Sequence, residues 1–142
     1  MRSKTPLSLM EQVVMVLVFA LASALCLQVF AFSGQMSERN QDVDHAVLLA
    51  QNTAELLKAC GGVEEAAATA GGELRQTLWS CYYDEELNPV PDQANAYYEV
   101  NTLPERSGTE GLGRANIDVF RFDGTEALFS ITAAWQEVDG RG

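Results

Sequence analysis

The sequence predicts an α+β protein in which one long N-terminal helix packs on a small antiparallel β-sheet of three or four strands. Three observations support this fold class: a twenty-residue apolar run from Val13 to Phe32, an amphipathic helical stripe after it, and strand-like segments in the second half of the chain. The 142 residues suffice for one membrane anchor and one small domain, but not for two sizeable cores.

The apolar run is long enough to cross a membrane as a helix. Twenty residues at a rise of about 1.5 Å each span about 30 Å, the thickness of a bilayer core. A secretory signal peptide is the alternative, because Ala31-Phe32-Ser33 offers small residues for a cleavage site. Signal peptides have shorter apolar cores, and Glu11-Gln12 interrupts the entry to this one. The sequence therefore favours a retained transmembrane helix over residues 7–33.

Charge is distributed unevenly along the chain, whose net charge is −11. A short leader, residues 1–6, contains Arg2 and Lys4 and no acid. From Ser33 onward seven Lys and Arg stand against nineteen Asp and Glu, a net charge of −12. Basic flanks stay in the cytoplasm, so we expect a cytoplasmic N-terminus and an extracytoplasmic domain over residues 34–142 at the cell membrane. The acidic domain disfavours nucleic-acid binding by this chain alone.

Helical periodicity continues beyond the apolar run. Apolar residues recur at steps of four and three and form one stripe, which consists of Val43, Val47, Ala50, Ala54 and Leu57. Polar residues, Asp42 among them, mostly fall on the other faces. Gly61-Gly62 is a typical helix terminator, because glycine adopts the left-handed conformation without steric cost. Residues 7–60 are therefore predicted to form one helix whose second half needs a partner surface.

The partner surface is predicted from four strand-like segments, which are Leu78–Tyr83, Ala96–Thr102, Ala115–Phe122 and Ala127–Trp135. The stretch between the first two is rich in Asp, Asn and Pro and is predicted to be a loop. The last two segments alternate apolar and polar residues, with Asp123-Gly124 as the turn. This pairing places Ile117 and Val119 opposite Phe129 and Ile131.

The reactive side chains do not form a catalytic arrangement. Cys26 lies in the apolar run and is expected to pack as a small hydrophobe. Cys60 and Cys81 would both lie outside the cytoplasm, where they could form a disulfide or remain two buried thiols. His45 is expected to be solvated on the amphipathic helix. We therefore expect no enzyme activity and no cofactor.

An acidic run, Asp84–Glu86, could ligate calcium through oxygens together with Asn88 and Asp92. The spacing does not match an EF-hand, and acidic runs in loops are more often solvated. No metal site is therefore expected.

Glu11 is out of place at the entry of an apolar helix. Leu7-Ser8-Leu9-Met10-Glu11, followed by an apolar helix, an amphipathic helix and a small antiparallel sheet, resembles type IV pilins and type II secretion pseudopilins, most closely the minor pseudopilins. In that family a prepilin peptidase cuts between a glycine and an apolar residue, and a glutamate lies five residues into the mature chain. The resemblance implies a processing junction at Pro6-Leu7. It also implies that Glu11 pairs with the N-terminal amine of a neighbouring subunit.

The resemblance implies a non-enzymatic subunit of a type II secretion, type IV pilus or DNA-uptake assembly. Its partners would be membrane lipid, other pilin-like subunits and assembly-platform proteins. Pro6 departs from the family pattern, because the family has glycine before the cut. The alternative is a single-pass anchored interaction module that does not polymerise, in which Glu11 lies at headgroup level and helps start the helix.

Overall fold

The computed structural model describes residues 4–137, so Arg2 and the first part of the predicted leader lie outside the described residues. The helices are α1 (Lys4–Cys60) and α2 (Val63–Ala70), with a short 3-10 helix at Gln93–Asn95. The strands are β1 (Glu73–Arg75), β2 (Leu78–Tyr83), β3 (Pro89–Val90), β4 (Tyr98–Glu105), β5 (Leu112–Arg121) and β6 (Ala127–Gln136). The chain divides into two compact units at Asn40/Gln41.

Helix α1 begins three residues earlier than predicted and ends where predicted. Pro6 is its third residue, and the N–H that proline lacks is one of those without an intrahelical acceptor in the first turn. At the other end Gly61 has φ +80° and donates its N–H to the Leu57 carbonyl at 2.9 Å. The predicted glycine terminator of the helix is confirmed.

The sheet is antiparallel throughout, with strand order β1-β2-β4-β5-β6. Strand β3 pairs with the end of β2 that β1 leaves free. The α+β fold of one long helix on an antiparallel sheet is confirmed, but the predicted number of strands was too low. The additional strands, β1 and β3, have three and two residues. Segments this short carry no periodicity, and pairing with β2 defines them.

The hairpin of β5 and β6 brings together the residues that the alternation predicted to face each other. Ile117 lies opposite Ile131 and Val119 opposite Phe129. The N–H of Gly124 donates to the Arg121 carbonyl at 2.8 Å and closes the turn. A bulge between Val119 and Phe120 shifts the register near this turn.

The core of the second unit lies between the sheet and the part of α1 that follows Gln41. Helix α1 contributes Ala46, Leu49, Ala50, Thr53, Ala54 and Leu57, and the sheet contributes Trp79, Cys81, Tyr98, Val100, Ala115, Ile117, Val119, Ala133 and Trp135. Val43 and Val47 are only half-buried, so the predicted stripe was partly wrong. The buried face is rotated toward Ala46 and Leu49, which are buried but were not in the predicted stripe. The Thr53 hydroxyl, also buried, donates to the Leu49 carbonyl at 2.8 Å.

Candidate membrane and assembly site

The apolar segment of α1 presents its side chains to solvent along its whole length. Between Leu7 and Phe32 every residue is exposed except Ser23, which is half-buried. Within residues 4–137, α1 is the one helix long and apolar enough to cross a membrane. Apolar surface on this scale is costly in water and favourable in hydrocarbon. A bilayer, or the apolar interior of an assembly, is the environment that this surface fits.

The polar side chains inside the apolar segment differ in whether they have a hydrogen-bond partner. Ser23 donates its hydroxyl to the Phe19 carbonyl at 2.8 Å, which suits a hydroxyl in hydrocarbon. Gln28 and Cys26 are exposed on the helix surface. The bonded Ser23 hydroxyl and the weakly polar Cys26 thiol therefore add little to the cost of burying the segment in hydrocarbon, whereas the Gln28 amide needs a hydrogen-bond partner there.

Glu11 is the one charged residue between Lys4 and Glu38. Its side chain is exposed, and no cation among the side chains that the structure describes lies within 4 Å of it. The next basic residue along the helix is Arg39, 28 positions away or about 42 Å of helix. Glu11 therefore has no cationic partner C-terminal to it within its own apolar segment.

The candidate processing junction lies within helix. Pro6 and Leu7 are both helical residues, and both are exposed. A peptidase that reads an extended chain would have to unwind the first turn to reach this bond. Proline would still fix φ in that extended substrate.

The second unit contains a polar cluster that sequence reasoning missed, which we call the Asp42 clamp and which consists of Asp42, His45, Tyr98 and Arg121. Tyr98 donates its hydroxyl to Asp42 Oδ1 at 2.8 Å, and Arg121 Nη1 lies 3.6 Å from Asp42 Oδ2. His45 Nδ1 lies 3.1 Å from the Tyr98 hydroxyl, and the two rings meet edge to face. The clamp joins α1 to the ends of β4 and β5.

Two expectations are corrected by this cluster. His45 is not simply solvated, because it is half-buried against Tyr98, and Asp42 is directed at the sheet rather than at solvent. Burial, and then the hydrogen bond to Asp42, raise the pKa of Tyr98 well above its usual value. The one sequence signal for this cluster was the pair of tyrosines at the start of a predicted strand. The contact between Tyr98 and Asp42 spans 56 residues of sequence, and such a contact leaves no periodic pattern.

The two cysteines of the second unit are free thiols in the structure. Cys60 Sγ lies 3.8 Å from Thr69 Oγ1, and Cys81 Sγ lies 3.9 Å from the Gly71 carbonyl oxygen. Burial raises the pKa of the Cys81 thiol to about 12, which keeps it protonated at neutral pH. Cys81 is buried, whereas Cys60 is half-buried.

The acidic loop after β2 is held in place by hydrogen bonds among its own residues. Asp84 Oδ1 accepts the backbone N–H groups of Glu86 and Asn88 at 3.0 and 2.8 Å, and the Asn88 side chain donates to Oδ2. These hydrogen bonds, the Asn88 backbone one first, lower the pKa of Asp84. Over residues 4–137 there is no group of three or more His, Cys, Asp or Glu side chains that could hold a metal ion.

Comparison with known proteins identifies no relative: no family model, curated protein or solved structure matches this chain.

Proposed function

We propose that the chain is a non-enzymatic, membrane-anchored pilin-like or pseudopilin-like subunit of a type II secretion, type IV pilus or DNA-uptake assembly. The observation that carries the proposal is Glu11, a single carboxylate on an exposed apolar helix, which has no cationic partner among the side chains that the structure describes. The arrangement of a long helix on a small antiparallel sheet also supports it.

The physical argument is the cost of a solitary charge in hydrocarbon. A carboxylate at the edge of a transmembrane helix costs up to a few kcal/mol if it enters the hydrocarbon unpaired, and a cation within about 4 Å offsets much of that cost. The chain offers no such cation C-terminal to Glu11 before Arg39. A positive group on a neighbouring subunit, such as the amine freed by cleavage before Leu7, would supply one. Glu11 would then set the axial register between subunits.

Orientation follows from the flanking charge. Lys4 precedes the apolar segment and the second unit is acidic, so the N-terminus would be cytoplasmic and the domain extracytoplasmic. Protease added to intact spheroplasts should then digest the domain. Digestion only after lysis would contradict this orientation.

The second candidate function is an anchored extracytoplasmic interaction module that does not polymerise. Pro6 favours it, because a chain that is never cut before Leu7 exposes no amine there. Intact mass with and without a co-expressed prepilin peptidase, on wild type and Pro6→Gly, separates processed from unprocessed chains.

The deciding experiment is cross-linking in the membrane through native Cys26, which is exposed on the segment. A Cys60→Ser background removes the second accessible thiol. Glu11→Ala should reduce cross-linked dimers and recovered partners by about two orders of magnitude, because one charge of a desolvated pair is left alone. Glu38→Ala, which removes the next exposed acid on the same helix, is the matched control and should change neither. Equal recovery in wild type and Glu11→Ala would refute the assembly role.

A further inference from the structure

The two edges of the sheet are built differently. One edge consists of β1 and β3, which are three and two residues long and so leave little backbone for another strand to pair with. These two strands also carry Glu73, Arg75 and Pro89. The other edge is β6, ten residues without a charge, a proline or a glycine. Proteins normally protect sheet edges with short strands, charges or proline, because unpaired backbone recruits other chains. Among the residues that the structure describes, one edge of the sheet is protected and the other is open.

The outer backbone groups of β6 can be assigned from the hydrogen-bond pattern. Glu137 donates its N–H to the Gly111 carbonyl, and Leu112 lies opposite Gln136. Hydrogen-bonded and non-hydrogen-bonded pairs alternate along an antiparallel ladder. Because Glu137 bonds to Gly111, the residue before β5, Gln136 and every second residue before it direct their backbone N–H and C=O groups away from β5. Those residues are Ser130, Thr132, Ala134 and Gln136, and all four side chains are exposed. Within residues 4–137 no hydrogen bond is made to this outer row.

An acidic groove lies at the end of the sheet where β6 finishes. The groove has a volume of about 1030 Å³ and is bordered by the start of α2, the β4–β5 loop and the last residues of β6. Its charged lining consists of Glu64, Glu65, Glu105, Glu110, Glu137, Arg106 and Arg114. Arg114 lies 3.7 Å from Glu105. Carboxylates therefore outnumber guanidinium groups, and the groove is suited to basic side chains.

We propose that the free edge of β6 is a docking site for an extended segment of another protein, which adds to the sheet as an antiparallel strand. The segment would carry Lys or Arg residues followed by about six uncharged residues. Antiparallel pairing places the N-terminal end of the added strand beside Gln136, so that its basic residues enter the acidic groove. Backbone hydrogen bonds to the outer row supply the affinity, and the groove selects the charge.

A second copy of this chain fits the edge less well. Each copy carries a net charge of −11, so two copies repel one another. The proposal does not depend on whether the chain polymerises, because its test uses the domain surface alone.

The test measures binding of a fluorescein-labelled peptide, Lys-Arg-Lys-Ser-Val-Thr-Val-Ser-Ile-Thr-amide, to the full chain in non-ionic micelles by fluorescence anisotropy. Thr132→Pro removes an outward N–H without touching the β5 ladder, and should weaken binding about tenfold. Thr132→Val keeps that N–H and is the matched control, for which no change is expected. Glu64→Gln combined with Glu137→Gln should weaken binding several-fold at low salt, whereas Glu126→Gln at the far end of β6 should not.

Three results would overturn the proposal: no binding at 1 mM peptide, equal binding by wild type and Thr132→Pro, or β6-dependent dimers that exclude the peptide. If Thr132→Pro does not fold, a peptide N-methylated at alternate residues gives the same test on the wild-type chain. This peptide cannot donate to the outer row, so its binding should be at least tenfold weaker than that of the parent peptide. Equal binding of the two peptides would refute strand addition.

Discussion

The Asp42 clamp gives a prediction of stability whose size can be worked out from its contacts. Tyr98→Phe removes the hydroxyl that donates to Asp42 Oδ1 at 2.8 Å and that contacts His45 Nδ1 at 3.1 Å. The Asp42 side chain is only 14% exposed, so water cannot fully replace the lost donor. A hydrogen bond to a charged group contributes about 1.5–3 kcal/mol. Arg121 remains at 3.6 Å and offsets part of the loss, which places the expected destabilisation at about 2 kcal/mol.

The assay is urea unfolding of the full chain in micelles, followed by tryptophan fluorescence. Both tryptophans, Trp79 and Trp135, are buried in the second unit, so the signal reports that unit alone. Tyr83→Phe is the matched control, because no hydrogen bond of its hydroxyl occurs within residues 4–137, and it should change stability by less than about 0.5 kcal/mol.

A double-mutant cycle isolates the contact itself. Tyr98→Phe and Asp42→Asn, alone and together, should give a coupling energy of at least about 1 kcal/mol. A coupling energy near zero, with both single variants as stable as wild type, would refute the reasoning that the clamp fixes α1 to the sheet.

Two further predictions concern the core of the second unit. Leu57→Ala should destabilise the second unit by about 2–5 kcal/mol, because Leu57 is fully buried. Leu48→Ala, on the exposed face of the same helix, should cost less than about 0.5 kcal/mol. Equal losses of stability in urea unfolding would contradict the assigned packing face. Burial raises the pKa of Cys81 from 9 to about 12, so its contribution is fully present below pH 9 and is lost as the pH rises toward 12. Cys81→Ala should therefore lose less stability than wild type between pH 8 and 11, and parallel pH profiles would show that Cys81 does not titrate in this way.

The sequence allowed most of the fold to be predicted, because the main elements have strong periodic patterns. Strand β2 was placed at its observed bounds, and alternation with the Asp123-Gly124 turn was enough to predict that Ile117 and Val119 face Phe129 and Ile131. Strands β1 and β3 were missed because so few residues carry no pattern, and contacts with β2 define them. Propensity is a weak signal where tertiary pairing decides the structure.

The candidate sites were less accessible to sequence reasoning. Glu11 stood out because charge is rare in an apolar run, and that signal is local. The Asp42 clamp joins residues far apart in the chain, so each of its members looked like an ordinary surface or strand residue. The open edge of β6 depends on strand order, which becomes visible only when the sheet is assembled.

The chain order of these elements has a consequence for synthesis. The buried face of α1 emerges from the ribosome before any strand, and its cover includes Ile117 and Val119 of β5 and Ala133 of β6. At about 5–20 residues per second, the 76 residues between Cys60 and Gln136 take roughly 4–15 s to make. Until the end of that interval the helix has an apolar stripe and no complete sheet to cover it. We therefore expect the nascent protein to bind a holding chaperone, and ribosome-bound chains ending at Arg121 should cross-link to one more strongly than the finished protein.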